Sequence, residues 1–395
     1  MLVSDYDYDL PEERIAKFPP KKRGTTRLLV LDRKTGAIQD SRYQDLADFL
    51  NPGDVLILND TRVMQSRLFC TLPDGRKREL VVLEKHGDEP QRVMYRGKLH
   101  EGDKVFIQSR GASGRPVATG GRRYSSPCQA PDPLDSNKNF VVVTKLLGNG
   151  IAEVESDIPL HELAEQFGSV PLPPYLHRDA TAEDKKRYQT VWAKNMGSAA
   201  APTASLNMTD ELLDKLRKKG VIIKYLTLHV GLGTFLPIRS DKVEDHQMHS
   251  EWFHIPEETI EAIEAAKNTL SRSIIADEAI AERPSLVTTG ARERSEKDVF
   301  LPSKSRVVAL GTTVARTLEY YARTGKTEGE DDIFIYPGFE FKIVDALLTN
   351  FHAPKSTVLM LTAAFAGWDH LKPAYEYAIQ EKYNLLSYGD SMFIC

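Results

Sequence analysis

The sequence predicts an α/β protein, with a mixed, largely parallel α/β domain that carries an inserted antiparallel β-barrel domain. Three observations lead there. From residue 209 onward, strand-like apolar runs alternate with helical patterns, and strand–helix alternation implies parallel strands joined by crossovers. Between residues 63 and 156 the helical period is absent, and short strand-like runs sit between turn signals. The chain of 395 residues is also long enough for two or three domains. The expected division is residues 1–62 and 157–395 as one discontinuous α/β catalytic domain, with 63–156 as the barrel. Residues 270–305, mixed in Pro, Ser, Thr and charge, read as a loop insertion.

Taken in order, residues 27–32 (RLLVLD) form a short strand. Lys34-Thr35-Gly36 turns the chain, and 37–41 return as its hairpin partner. Residues 43–50 read as a short helix closed by Asn51-Pro52-Gly53. Residues 55–58 then form a buried strand that delivers Asn59-Asp60-Thr61-Arg62 at its C-terminal end, where ligands bind in α/β sheets. The barrel strands fall at 79–84, 91–96, 104–107, 140–145 and 152–155, broken by Asp74-Gly75, Glu101-Gly102-Asp103 and Gly148-Asn149-Gly150. Residues 109–138, rich in Gly, Ser and Pro, predict a mobile loop.

Helix returns at 159–167, followed by the proline-rich extended piece PLPPY. Thr181 and Asp184 have capping-box spacing ahead of a helix over 184–193. Thr209 is a good N-cap, Lys215–Lys219 close the helix with positive charge, and Gly220 is suited to its left-handed end. A strand over 221–230 follows, then a helix at 256–267, a strand at 306–310 and a helix at 312–322. The C-terminal part gives strands at 332–336 and 341–351, an apolar helix at 355–366 opened by Pro354, and an amphipathic stretch at 373–383.

Composition is that of an ordinary globular chain, 41% hydrophobic and 27% charged. A net charge of -4 argues against coating nucleic acid by bulk charge and leaves room for a local basic groove. Three scattered cysteines without C-x-x-C spacing give neither a disulfide scaffold nor a zinc ribbon, and suit a reducing compartment. The acidic N-terminus lacks the apolar segment of a secretory signal, and the longest apolar run is too short to span a bilayer. The expectation is a cytoplasmic protein with no membrane contact.

Several polar constellations can carry chemistry. His246-x-x-His249-x-Glu251 has residue types that hold zinc, that line a hydrogen-bonding site, or that sit as structural histidines; its spacing is not H-E-x-x-H. Gly231-x-Gly233-Thr234 follows a strand, and its backbone N–H groups would suit a carboxylate or phosphate; a tight turn is the alternative. Gly311-Thr312-Thr313 ends a strand and opens a helix, with Arg316 one turn later as a bidentate carboxylate partner. Asn350 and His352 end another strand. Basic residues cluster at Lys17, Lys21-Lys22-Arg23 and Arg27, at Arg122-Arg123, and at Lys185-Lys186-Arg187. Such clusters are more often solvated faces than RNA contacts, and no RRM, KH or zinc-knuckle signature accompanies them.

Together these pieces resemble the S-adenosylmethionine:tRNA ribosyltransferase-isomerase family of queuosine biosynthesis. The resemblance rests on SDYDYDLPEERIAKFP, RLLVLDRKTG, PGDVLILNDTRV, PLPPY, RYQTVWAK, AAAPTASLNMT and TLHVGLGTFLPIR. It continues through HQMHSEWF, GTTVARTLE, DIFIYPGFEFKIVDALLTNFHAPKSTVLML and SYGDSM, in one order along nearly the whole chain. It implies an α/β domain with an inserted barrel. It also implies transfer of the ribosyl part of S-adenosylmethionine to 7-aminomethyl-7-deazaguanine at the tRNA wobble position. Isomerisation would then give epoxyqueuosine, with release of adenine and methionine. S-adenosylmethionine would be a co-substrate, with no tightly bound cofactor and no metal, and the protein a monomer or weak oligomer.

Under that resemblance His229, His249, Glu251, Asp60 and Asn207 are the candidate catalytic residues. Gly231, Gly233, Thr234, Thr312, Thr313, Arg316, Asn350 and His352 are candidates for holding S-adenosylmethionine. Lys21, Lys22, Arg23, Arg62, Lys185, Lys186 and Arg187 would guide the anticodon arm. The family's A-G-L-H-F-T is here Ala204-Ser205-Leu206-Asn207-Met208-Thr209, so Asn207 stands in place of a His. Asn does not carry protons near neutral pH. A divergent member that binds without turnover is therefore one alternative expectation, and a metal hydrolase centred on His246, His249 and Glu251 is another.

Overall fold

The computed structural model describes residues 1–83, 90–108, 139–148, 150–231, 238, 240–268 and 305–395. The predicted loop at 109–138, all of the predicted insertion at 270–305 except Ser305, and Gly233 and Thr234 lie outside them.

The fold class is as expected. The hairpin β1 (Arg27–Leu31) and β2 (Ile38–Arg42) is antiparallel, with Leu31 opposite Ile38. After a 3-10 helix at Tyr43–Asp48 comes β3 (Val55–Asn59), then the short β4 (Thr61–Val63). Six strands follow: β5 (Arg67–Thr71), β6 (Lys77–Val82), β7 (Arg92–Arg96), β8 (Lys104–Ile107), β9 (Phe140–Gly148) and β10 (Ile151–Glu155). They close into an antiparallel barrel in the order β10-β7-β6-β5-β8-β9. Alternate residues such as Leu68, Leu80, Val82, Val93 and Val141 fill the barrel's core, as the two-residue period of a strand requires. Helix α1 (Leu160–Phe167) adds Leu160, Leu163 and Ala164 to the same core. The barrel's packing unit thus runs past residue 156.

Helix α2 (Ala182–Arg187), strand β11 (Asn195–Ser198), helix α3 (Asp210–Lys219) and strand β12 (Ile222–Leu228) return the chain to the main sheet. Strand β13 (Glu251–His254), helix α4 (residues 257–268), strand β14 (Val307–Leu310), helix α5 (Thr312–Thr324) and strand β15 (Glu328–Asp331) follow. Strand β16 (Ala346–Asn350), helices α6 (Thr357–Ala366) and α7 (Trp368–Gln380), and strand β17 (Ser391–Ile394) complete the chain. The nine-stranded sheet has the order β15-β13-β12-β3-β14-β16-β17-β1-β2. Its four central strands, β12-β3-β14-β16, are parallel.

Those strands are apolar on both faces because both faces are covered. Val55, Ile57, Leu226, Val307, Ala309 and Leu347 face the core shared with α5, α6 and α7, while Leu56, Leu58, Val308, Leu310 and Leu348 face α3. The C-terminal ends of the four parallel strands therefore open at one edge, the position where open α/β sheets bind ligands.

Several expected elements differ. The helix expected at 184–193 stops at Arg187. The strand expected at 332–336 lies earlier, as β15, and ends at Asp331, whose carboxylate turns inward to Arg316 and accepts the Ile333 N–H. The strand expected from 341 begins only at Ala346. The N–H groups of Lys342, Ile343 and Val344 go instead to the buried Glu319 carboxylate, at 2.9, 2.8 and 3.0 Å, so they are absent from any ladder. Helix α6 is opened by the Ser356 hydroxyl, which accepts the Leu359 N–H, and not by Pro354.

Candidate active site

At the open edge lies a cleft of about 880 Å³, counting the space at its mouth. One wall is the small-residue run Ala201-Pro202-Thr203-Ala204, whose lack of bulk leaves the space. Opposite it are the start of α5, through Gly311, Thr312 and Thr313, and the end of β16 with the turn after it, through Thr349, Asn350, Phe351 and His352. Tyr175, from the PLPPY segment, closes a further side, and its hydroxyl shares a 2.5 Å hydrogen bond with Ser387. Among the described residues, no Asp, Glu, Lys or Arg lines this cleft.

Asn350 is 2% exposed. Its Oδ1 accepts a 3.0 Å hydrogen bond from the Thr203 hydroxyl, and its Nδ2 has no partner among the described residues. The His352 imidazole shares a 2.9 Å hydrogen bond with Thr349, while its backbone N–H and C=O are held by the Tyr375 and Tyr8 hydroxyls. Burial pushes its pKa down to about 3, so the ring is neutral at ordinary pH. Helix α5 begins at Gly311, whose φ of 100° suits glycine, and no side chain caps its first N–H groups.

A second cluster lies behind α5, in a smaller pocket that shares Thr312, Thr313 and Val358 with the cleft. Glu251 starts β13 and is 3% exposed. Burial by itself would raise its pKa. The Arg316 guanidinium at 3.1 Å, His249 at 3.2 Å and the Gly231 N–H at 2.7 Å outweigh burial and hold it down at about 2. Arg316 also reaches the Asp331 carboxylate at 3.2 Å and the Asp331 carbonyl at 2.9 Å. It is therefore spent inside the protein, and the expected open carboxylate clamp is not what the structure holds. His246 packs edge-on against Phe334. Among the described residues no group of three or more His, Cys, Asp or Glu is placed to hold a metal ion.

A third cluster sits at the ends of β3 and β12. The Asn59 side chain ties the two strands together: its Nδ2 donates to the Leu228 carbonyl, and its Oδ1 accepts the N–H groups of Thr61 and Leu228. Asp60 accepts from the Thr227 hydroxyl at 2.7 Å and from Asn195 at 3.1 Å. The His229 Nδ1 lies 2.8 Å from the Thr61 hydroxyl, and its ring stacks on Trp252. Gly197 makes room for that ring, since a Cβ there would lie 2.6 Å from it.

Asn207 belongs to none of these clusters. It is 2% exposed, and its Nδ2 donates to the Gly389 carbonyl at 3.0 Å and the Ser391 hydroxyl at 3.3 Å. It thus holds the approach to β17. Of the basic residues, Arg23 and Arg187 are internal ties: Arg23 donates to the Gln189 carbonyl at 2.9 Å, and Arg187 to the Pro20 carbonyl at 2.8 Å. Those ties draw residues 20–23 and 185–189 together and leave Lys21, Lys22, Lys185 and Lys186 exposed beside one another. Arg62 is exposed on β4. Sequence reasoning missed Thr203, Tyr175, Ser356 and Gly197, because a run of small residues and a proline-rich segment carry no periodic signal.

The profile of the queuosine biosynthesis protein family matches residues 3–278 and 298–394. The chain belongs to this family. Curated proteins named S-adenosylmethionine:tRNA ribosyltransferase-isomerase from Pelodictyon phaeoclathratiforme and Chlorobium phaeobacteroides are each 47% identical to it over 403 aligned residues, covering 100% of both chains. A crystal structure of an S-adenosylmethionine tRNA ribosyltransferase from Thermotoga maritima is 27% identical, with a TM-score of 0.47 over 99% of this chain and 100% of that one. Among the described residues of this family member, no helix is long and apolar enough to cross a membrane.

Proposed function

We propose that the chain is an S-adenosylmethionine:tRNA ribosyltransferase-isomerase. In this reading it moves the ribosyl of S-adenosylmethionine onto 7-aminomethyl-7-deazaguanine at the wobble position of tRNA and rearranges it to the epoxide of epoxyqueuosine. The observation that carries the reading is the end-to-end match to relatives of that name. The cleft at the carboxyl ends of the parallel strands supports it as the place for the co-substrate.

The reaction needs a base for a hydrogen that the sulfonium has made acidic, and a donor for the departing adenine. His249, oriented by the ionised Glu251, has the arrangement of a base held by a carboxylate and takes the proton-transfer role in this reading. His352, neutral and weakly basic, is a hydrogen-bonding wall. Asp60 and His229 hold the ends of β3 and β12 that border the site. The exposed lysines at 21, 22, 185 and 186 draw in the RNA backbone.

Asn207 does not favour the divergent, non-turnover alternative. Its amide is used in packing, so no proton-carrying side chain has been lost from the cleft lining. The test is incubation with S-adenosylmethionine and tRNA bearing the 7-aminomethyl base. Adenine, methionine and a mass-shifted nucleoside should appear together, and their absence would refute the assignment.

A further inference from the structure

The cleft poses an electrostatic problem. S-adenosylmethionine carries an α-carboxylate, yet no cationic side chain among the described residues lines the cleft, and Arg316 is occupied by Glu251 and Asp331. We propose that the start of α5 and the Asn350 carboxamide together seat that carboxylate. This rests on the reading of S-adenosylmethionine as co-substrate.

Two independent features converge there. The first is the bare end of a 13-residue helix. The first N–H groups of a helix have no partner within it and carry the positive end of its dipole. In α3 and α6 a side-chain hydroxyl fills that role, from Thr209 and Ser356. In α5 the position belongs to Gly311, which has no side chain to offer, and Gly311, Thr312 and Thr313 all face the cleft. An uncapped helix start that opens on a cleft is an anion site.

The second feature is Asn350. A buried amide N–H₂ without a partner costs stability unless a ligand satisfies it. Thr203 engages the amide oxygen, which leaves the nitrogen without a partner among the described residues, and the nitrogen can only donate. The site therefore offers donors from the backbone and from a neutral side chain, and no carboxylate stands against them among the described residues. It discriminates for an anion without placing a cation beside the substrate's own sulfonium.

The experiment is calorimetric titration of the full-length protein with S-adenosylmethionine and with its decarboxylated analogue, which keeps the sulfonium, amine and adenosine. The unaltered protein should bind the carboxylate-bearing ligand at least about tenfold more tightly. Asn350→Ala should narrow that preference. Asn350→Asp, which sets a carboxylate against the ligand's own, should abolish it while binding of the analogue persists. Equal affinity of the unaltered protein for both ligands would overturn the proposal, as would an Asn350→Asp variant that keeps the full preference. The first comparison needs no variant, so a misfolded substitution does not decide the matter. Failure to bind either ligand would instead bring down the co-substrate reading.

Discussion

At the scale of single residues, the most demanding contacts surround Arg316. Its guanidinium is buried with Glu251 and Asp331, and removing it leaves two buried carboxylates without their partner. Arg316→Met should therefore lower stability by about 3–5 kcal/mol, read as a fall in the urea midpoint at unchanged slope. Acid should act through two groups of depressed pKa. His352 titrates at about 3 in the folded protein and near 6.5 in the unfolded chain, so its contribution is complete above pH 6.5 and is lost as pH falls toward 3. Glu251, at about 2 folded and 4.5 unfolded, contributes above pH 4.5 and loses that as pH falls toward 2. Stability should thus begin to drop below pH 6.5, before the carboxylates protonate. His352→Gln should flatten that first part of the curve, and Glu251→Gln the second. Asn207→Ala should cost about 1–3 kcal/mol of stability and leave the affinity for S-adenosylmethionine unchanged, since its amide serves packing alone. The sequence marked His249 and Glu251 as a polar cluster with three readings open, and their pairing appears only in the fold. The burial of Arg316 was not legible either, because its second partner lies fifteen residues away on another element.

At the scale of elements, the sequence announced most of what the sheet contains. Strands β3 and β14 are almost wholly apolar runs, β12 is apolar apart from Lys224 and Thr227, and α3 carries its cap, its charges and its terminal glycine in plain order. What escaped was settled by side chains reaching across the fold. Glu319 on α5 takes three N–H groups that a strand would otherwise have used, and nothing near residue 342 signals that. The small-residue run before α3 has no pattern of its own, yet its lack of bulk shapes one wall of the cleft. Element ends near the site are also where modest changes should be felt. Ser356→Ala removes the cap of α6 and should cost about 1 kcal/mol in thermal or urea unfolding. Gly197→Ala drives a methyl group into the His229 ring and should cost about 1–3 kcal/mol, with a loss of turnover larger than the loss of stability alone explains.

At the scale of the whole molecule, two basic segments far apart in sequence become one surface because arginines within each bind the other's backbone. Lys21→Glu with Lys22→Glu should weaken tRNA binding and reduce the steepness of its salt dependence by about one per lost phosphate contact, with affinity for S-adenosylmethionine unaffected. The barrel was legible from its turns, but its dependence on α1 was not, because a strand pattern says nothing about the helix that plugs its core. Strand β17 carries a different consequence. Residues 391–394 lie between β16 and β1, in the interior of the sheet, and Asn207 is bonded to Ser391. During synthesis the ribosome releases these residues long after their neighbours in the sheet. Until then β1 and β2 have no strand to join, and the sheet stands open with an unpaired edge along β16. A chain without residues 391–394 would still hold every residue named in the cleft lining, yet would present the bare edge of β16 as a template for pairing with another chain.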